Sequence, residues 1–153
     1  MRTVSKLSNE AASTQANDLV NLSLLGSQDK SKAGQLEVFP SHSVSGGLHV
    51  RAICHEFTCL CPQTGQPDWA SIVIDYAPDK LILESKSLKL YLETFRDKGI
   101  FHEHLAQVML DDLSKALSPL FCSVKVSFNV RGGIAITATA SSHPPQPPPT
   151  GDG

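Results

Sequence analysis

The chain contains no apolar run long enough to span a bilayer, and its opening, MRTVSKLSNEAASTQAND, has no apolar segment of the secretory kind. A cytoplasmic protein with no membrane partner is therefore the expectation. An excess of one charge is also missing. The formal net charge of -2 and a pI near 6.3 give no global electrostatic case for a nucleic-acid partner. Cysteine is sparse: Cys54, Cys59, Cys61 and Cys122 do not make the dense pattern of a disulfide-stapled secreted domain. In a reducing compartment they are thiols, metal ligands or nucleophiles. Their spacing, C-x4-C-x-C, lacks the C-x2-C pairs of common zinc sites, so no metal is expected even with His55, His102 and His104 as further ligand types. No GxGxxG follows a strand pattern, which excludes a Rossmann crevice for any dinucleotide. No internal repeat is present.

What remains is a chain of 153 residues, 41% hydrophobic and 18% charged, which suits one domain with a modest core. Residues 1–18 read as a flexible polar tail, 19–140 as the domain, and 141–153, SSHPPQPPPTGDG, as a disordered Pro-rich tail that cannot form ladder hydrogen bonds. Leu48, Val50, Ala52 and Cys54 alternate as a half-buried strand does, and so do Ala70, Ile72, Ile74 and Tyr76. The segment SKSLKLYLETFRDKG sets Leu88, Leu92 and Phe95 at helical spacing, with Gly99 as its stop. Leu105, Val108, Met109, Asp112, Leu113, Ala116 and Leu117 mark one face of a second helix, with Pro119 just beyond. A strand follows with Leu120, Cys122, Val124, Val126, Phe128 and Val130 on one side. Arg131-Gly132-Gly133 then turns into a partner strand that groups Ile134, Ile136 and Ala138. The order β-β-α-α-β-β predicts an α+β domain, an antiparallel sheet with two helices on one face. Such a sheet has two open edges, and closing the sheets of several subunits into a barrel removes them, so an oligomer is expected.

Cys61 stands out as a candidate for chemistry. Pro62 biases it toward an extended backbone, and Thr64-Gly65 and Pro67 turn the chain so that Asp68 comes back toward it. Two readings follow: an inert cysteine in a well-made loop, or a thiolate nucleophile with its proton donor. In ESKSLK, Ser85 is a suitable helix N-cap, and Lys86 and Lys89 share a face beside unpaired helix N–H groups, which suits a phosphate; the alternative is a solvated lysine pair. Arg131 before Gly132-Gly133 is a second anion contact or an exposed hairpin arginine. In FHEH, Glu103 is either ordinary macrodipole chemistry or, with His102 beside it, an acceptor for the N–H edge of a guanine-like ring.

Taken together, EFTCLCPQTGQPD, LESKSLKLYLETFRDKG, FHEH and RGG resemble the 7-cyano-7-deazaguanine reductase family, the NADPH-dependent nitrile reductases of queuosine biosynthesis, from about Leu24 to Ala140. The resemblance implies Cys61 as the nucleophile that forms a covalent thioimide and Asp68 as the proton donor. His102 and Glu103 would grip the deazaguanine, in a pocket also lined by Leu83, Glu84 and Ser85. Ser85, Lys86, Lys89, Arg131 and Gly132 would hold the cofactor. It further implies the tunnelling fold, assembled as a decamer of two pentameric rings with active sites between subunits. Each turnover would use two NADPH and no metal. The competing readings are a zinc-dependent GTP cyclohydrolase or pterin enzyme of the same architecture, and a non-catalytic purine-binding module. Cys59 stands where serine is expected in many relatives, and the Pro-rich tail lies outside the resemblance.

Overall fold

The computed structural model describes residues 16–25, 34–42 and 47–143. Two long strands, β2 (Val50–Leu60) and β3 (Pro67–Ala77), form a hairpin. They follow a short β1 (Val38–Pro40) and precede a short β4 (Leu81–Leu83). Helices α1 (Ser85–Glu93) and α2 (His102–Leu117) come next, and β5 (Phe121–Phe128) and β6 (Thr137–Ser141) close the domain. The main sheet is antiparallel with order β2-β3-β5-β6, and β1 pairs with β4 in a separate two-stranded sheet. That second sheet was not expected, because three-residue strands leave no readable alternation.

Alternation along β3 decides which face is covered. Asp68, Ala70, Ile72, Ile74 and Tyr76 are buried, while the residues between them are exposed or half-buried. Cys122, Val124, Val126 and Phe128 continue that face on β5. The face is covered by Leu105, Ala106, Met109, Leu110, Leu113 and Leu117 of α2 and by Leu88 and Tyr91 of α1, in one hydrophobic cluster. One covered face and one open face is the arrangement the periodicity predicts. Burying each such Leu, Ile or Met contributes about 1.5–3 kcal/mol, so this layer is the main source of stability.

Several expected boundaries move. In β2 the inward set is Val50, Ala52 and Cys54 and then Phe57 and Cys59, because a bulge lies between Cys54 and Phe57. The strand expected from Leu120 to Val130 is shorter, and its two end residues are 65% and 64% exposed. Ile134 is likewise exposed, in the turn that precedes β6. Helix α1 ends at Glu93, with Thr94 as its C-cap. Gly99 is therefore not the helix stop, and Phe95 is buried from the following turn, edge-on to Tyr91. Ordered contacts also occur just outside the expected domain limits. Asp18 is buried and paired with His42 at 2.7 Å, and Ser141 pairs with Ser123. Residues 1–15 and 144–153 of the two expected tails lie outside the described residues. Among the described residues no helix is long and apolar enough to cross a membrane.

Candidate active site

The β2–β3 hairpin carries the candidate nucleophile. Its register pairs Cys59 with Asp68 and Leu60 with Pro67, which leaves Cys61 to Gln66 as the connecting loop. Two backbone bonds inside that loop tie it down, Cys61 N–H to the Gln66 carbonyl at 2.8 Å and Gly65 N–H to the Cys61 carbonyl at 2.9 Å. Gly65 has φ 70°, a conformation that needs glycine. A third support comes from the segment after α1. Leu60 N–H donates to the Lys98 carbonyl at 2.9 Å and Ile100 N–H to the Leu60 carbonyl at 3.1 Å, a parallel bridge between Leu60 and Gly99.

Cys61 is half-buried. The hydroxyl of Thr64 and the backbone N–H groups of Thr64 and Gln63 hydrogen-bond its sulfur and lower the thiol pKa; burial and the charge of Asp68 oppose them without cancelling them. Cys59 is the reverse case. It is fully buried, and desolvation, with the charge of Asp68 adding to it, pushes its thiol up to about 11. Of the two neighbouring cysteines, only Cys61 has the character of a nucleophile. Cys59 does not compete with it, because its sulfur belongs to the core.

Asp68 is 2% exposed. One oxygen, Oδ1, accepts from the Arg131 guanidinium, and the other, Oδ2, lies 3.5 Å from His102 Nε2. The His102 ring in turn stacks on Phe128, with centroids 3.6 Å apart and planes within 14°. Glu103 follows on the first turn of α2 and is exposed. Thus Cys61, Asp68, His102, Glu103 and Arg131 gather at one end of the domain.

The Leu83–Lys89 segment lies elsewhere. Leu83 N–H donates to the Tyr76 hydroxyl at 3.1 Å, and Tyr76 lies eight residues along β3 from Asp68, roughly 26 Å at about 3.3 Å per residue. Within one chain the two halves of the expected pocket therefore do not meet. Ser85 is not the N-cap of α1. Glu84 is, its buried carboxylate accepting from the N–H groups of Lys86 at 2.7 Å and Ser87 at 2.6 Å. The Glu84 side chain serves the N–H groups of the second and third helical residues, one position earlier than a serine cap at 85 would. The N–H groups expected to meet a phosphate are therefore taken, and any anion there relies on lysine side chains. Beside them is a cavity of about 600 Å³ between β2 and α1, lined by Cys54, His55, Ser85, Lys89 and Arg96 among others. Its volume is in the range of a small-molecule site, and two cations, Lys89 and Arg96, line it together with two carboxylates, Glu56 and Glu93. Arg131 is not part of that lining; it bonds Asp68 and Gln66 instead. Gly132, beside it, has φ 59° in the hairpin turn. Among the described residues no three His, Cys, Asp or Glu side chains gather as a metal site.

Sequence reasoning missed Thr64 as a partner of the thiol, Gln66 as a partner of Arg131, and Phe128 as the platform for His102. Only Thr64 had a local signal, a hydroxyl three residues beyond the cysteine in the same turn.

Known proteins resemble this chain in sequence and in fold. The model of the family described as QueF-like protein matches residues 67–147. The crystal structure of the archaeosine synthase QueF-Like in its apo form superposes with a TM-score of 0.60 at 23% identity, covering 64% of this chain and 96% of that one. The fold is accordingly that of a QueF-like α+β protein. A protein of Frankia casuarinae named NADPH-dependent 7-cyano-7-deazaguanine reductase is 54% identical over 120 residues, 78% of this chain and 94% of its own length. One of the same name from Syntrophus aciditrophicus is 50% identical over 133 residues, 87% of this chain and 94% of its own. The chain belongs to the NADPH-dependent 7-cyano-7-deazaguanine reductase family.

Proposed function

We propose that this chain reduces the nitrile of 7-cyano-7-deazaguanine to 7-aminomethyl-7-deazaguanine with NADPH, as an oxidoreductase of queuosine biosynthesis, through a thioimide on Cys61. The observation that carries this reading is a half-buried thiol whose pKa is lowered by Thr64 and Gln63, set within electrostatic reach of the buried carboxyl of Asp68. A nitrile carbon is a poor hydride acceptor until sulfur is bonded to it and its nitrogen is protonated. Attack by the Cys61 thiolate forms the C–S bond and moves one π pair to nitrogen, which takes a proton from Asp68. Two NADPH, bound in turn, would each supply one hydride; between the two the C–S bond breaks, returning the Cys61 thiolate and leaving an imine that the second hydride and a proton take to the amine. Lys86 and Lys89 are the residues to hold its phosphates, and Ser85 and Lys89 line the cavity beside β2. His102 and Glu103 are placed to orient the deazaguanine ring, Glu103 by accepting ring N–H groups. The substrate is a small molecule, with no direct nucleic-acid contact and no metal in the scheme, and the location proposed is cytoplasmic.

The same reading includes a homo-oligomer, a decamer of two pentameric rings whose sheets close into a barrel. Two features support it. Strands β2 and β6 stand at the edges of the main sheet, and the Leu83–Lys89 half of the pocket reaches the Cys61 half only if a second copy supplies it. Light scattering that gave a monomer would remove that part of the proposal. The reaction itself is tested by intact mass after incubation with the nitrile and no NADPH. A mass gain equal to the nitrile is expected for the wild type and none for Cys61→Ala, which also loses turnover while remaining folded. Normal turnover by Cys61→Ala would overturn the assignment.

A further inference from the structure

We infer that Arg131 and Gln66 form a clamp that positions Asp68 for proton transfer and fixes which of its two oxygens carries the proton. The inference rests on the nitrile-reductase reading of the site and goes beyond it, since it gives Arg131 a task in the first chemical step that does not involve a cofactor phosphate.

The clamp begins with a rigid mount. Arg131 and Ile134 exchange both backbone N–H···O bonds at 3.0 Å across Gly132 and Gly133. These two glycines, at φ 59° and 80°, make a two-residue turn with positive φ at both positions. From that mount the guanidinium forks. One terminal nitrogen donates to Asp68 Oδ1 and the other to Gln66 Oε1 at 3.0 Å. Gln66 is also the residue whose carbonyl accepts from Cys61 N–H at 2.8 Å. A single side chain therefore ties the β5–β6 hairpin to both the acid and the loop that carries the nucleophile.

The chemistry of a guanidinium decides what the fork does. It has only donors and does not lose a proton in proteins, so an oxygen that accepts from it does not also carry the transferable hydrogen. Oδ1 is the oxygen so occupied. Oδ2 is left, and it faces His102, whose ring is held flat against Phe128. The step then balances. The Cys61 thiol gives its proton to Oδ2, its sulfur bonds the nitrile carbon, one π pair goes to nitrogen, the same proton passes from Oδ2 to that nitrogen, and the carboxylate is restored with its Oδ1 contact kept. The titratable and charged groups around this carboxyl come from four elements: Cys59 on β2, Cys61 on the loop, His102 on α2 and Arg131 on the hairpin. A lysine at position 131 offers one point charge in place of the fork and cannot hold Asp68 and Gln66 in the same geometry.

Thioimide formation consumes no NADPH, and that separates this role from cofactor binding. The rate of the nitrile mass adduct, measured without cofactor across pH, is expected to fall at least tenfold in Arg131→Met and Arg131→Lys. In both variants the pH dependence of that rate should also change shape. Gln66→Met, which removes one arm at an exposed loop position, should give a smaller loss. Loss of folded protein alone would scale the rate and leave its pH dependence unchanged, and that outcome overturns the inference. So do variants that form adduct at the wild-type rate and show a defect only in the KM for NADPH, because Arg131 would then serve the cofactor alone. A wild type that forms no adduct at any pH overturns the nitrile-reductase reading, and the clamp falls with it.

Discussion

Gly99→Ala should slow adduct formation although the residue is exposed and lies on neither side of the reacting pair. A Cβ built there would stand 2.9 Å from Pro62 Cα and 3.4 Å from Pro62 Cβ. Non-bonded carbons sit comfortably at about 3.5–4.0 Å, so Pro62 must retreat by about 0.6 Å. The nearest atom is backbone, and no rotamer change relieves the clash. Pro62 is bonded directly to Cys61, and the Leu60–Gly99 bridge fixes the approach from the other side. The strain must therefore either displace the nucleophile or break the bridge. A 1 Å misplacement of a reacting group costs about a hundredfold in rate, so half of that displacement is worth about tenfold. Overpacking of this kind also costs about 1–3 kcal/mol of stability, which at an m-value of about 2 kcal/mol/M lowers the urea midpoint by roughly 0.5–1.5 M. The assay is single-turnover adduct formation by intact mass, without NADPH, beside a urea melt of the same preparation. A variant equal to the wild type in both rate and midpoint would show that this contact positions nothing, and that the Cys61 loop is held only by its own bonds.

Two further expectations concern the thiols. Thr64→Val removes the strongest of the bonds that lower the Cys61 pKa, so the inflection in the pH–rate profile of adduct formation should move upward. The variant should be several-fold slower near neutral pH and close to wild type once both thiols are ionised. Thr64→Ser should restore the profile, and an unmoved inflection in the valine variant would exclude Thr64 from activating the thiol. Alkylation of the native protein at pH 8 should mark Cys61 before Cys59 or Cys122. The latter two are pushed up to about 11 by burial and are ionised to only about one part in a thousand at that pH. Peptide mapping that found Cys59 modified as fast as Cys61 would contradict the burial argument.

The layered α+β domain was legible because a strand with one covered face must alternate, and β3 and β5 do so over their whole length. The helices were legible from their buried stripes, but the end of α1 was not. Phe95 keeps the helical spacing and is buried, yet it belongs to the turn after the helix. A period reports which side chains go inside; it does not report which backbone conformation takes them there. The gathering of Asp68, His102 and Arg131 came from three separate elements, and no local pattern signals such a meeting. The resemblance of whole motifs marked those residues. It also drew Glu84 and Ser85 into the same pocket, and the length of β3 places them at the far end of the same chain. Gly99 was noticed for the wrong reason, since its constraint is Pro62, distant in sequence.

The bulge in β2 is where fold and chemistry constrain each other most directly. Cys54 stands opposite Ile72 and Phe57 opposite Ala70, so three steps on β2 match two on β3. The same residues paired without a bulge would carry the inward parity on from Val50 and Cys54, and Cys59 would face the open side. With the bulge, Cys59 faces the core across from Asp68, and Cys61, two residues on, inherits the same parity where the strand ends. The charge of Asp68 accordingly acts on both sulfurs, but only the second lies beyond the packed layer. Deleting one residue from His55-Glu56 should therefore leave two steps on β2 against two on β3, a regular ladder in which Phe57 and Cys59 keep their partners. Deleting Thr58 instead, beyond the bulge, either sets Cys59 opposite Trp69 on the open face or removes the bulge and turns Phe57 out of the core. The second deletion should be the more damaging of the two, and equal urea midpoints and adduct rates for both variants would contradict this register.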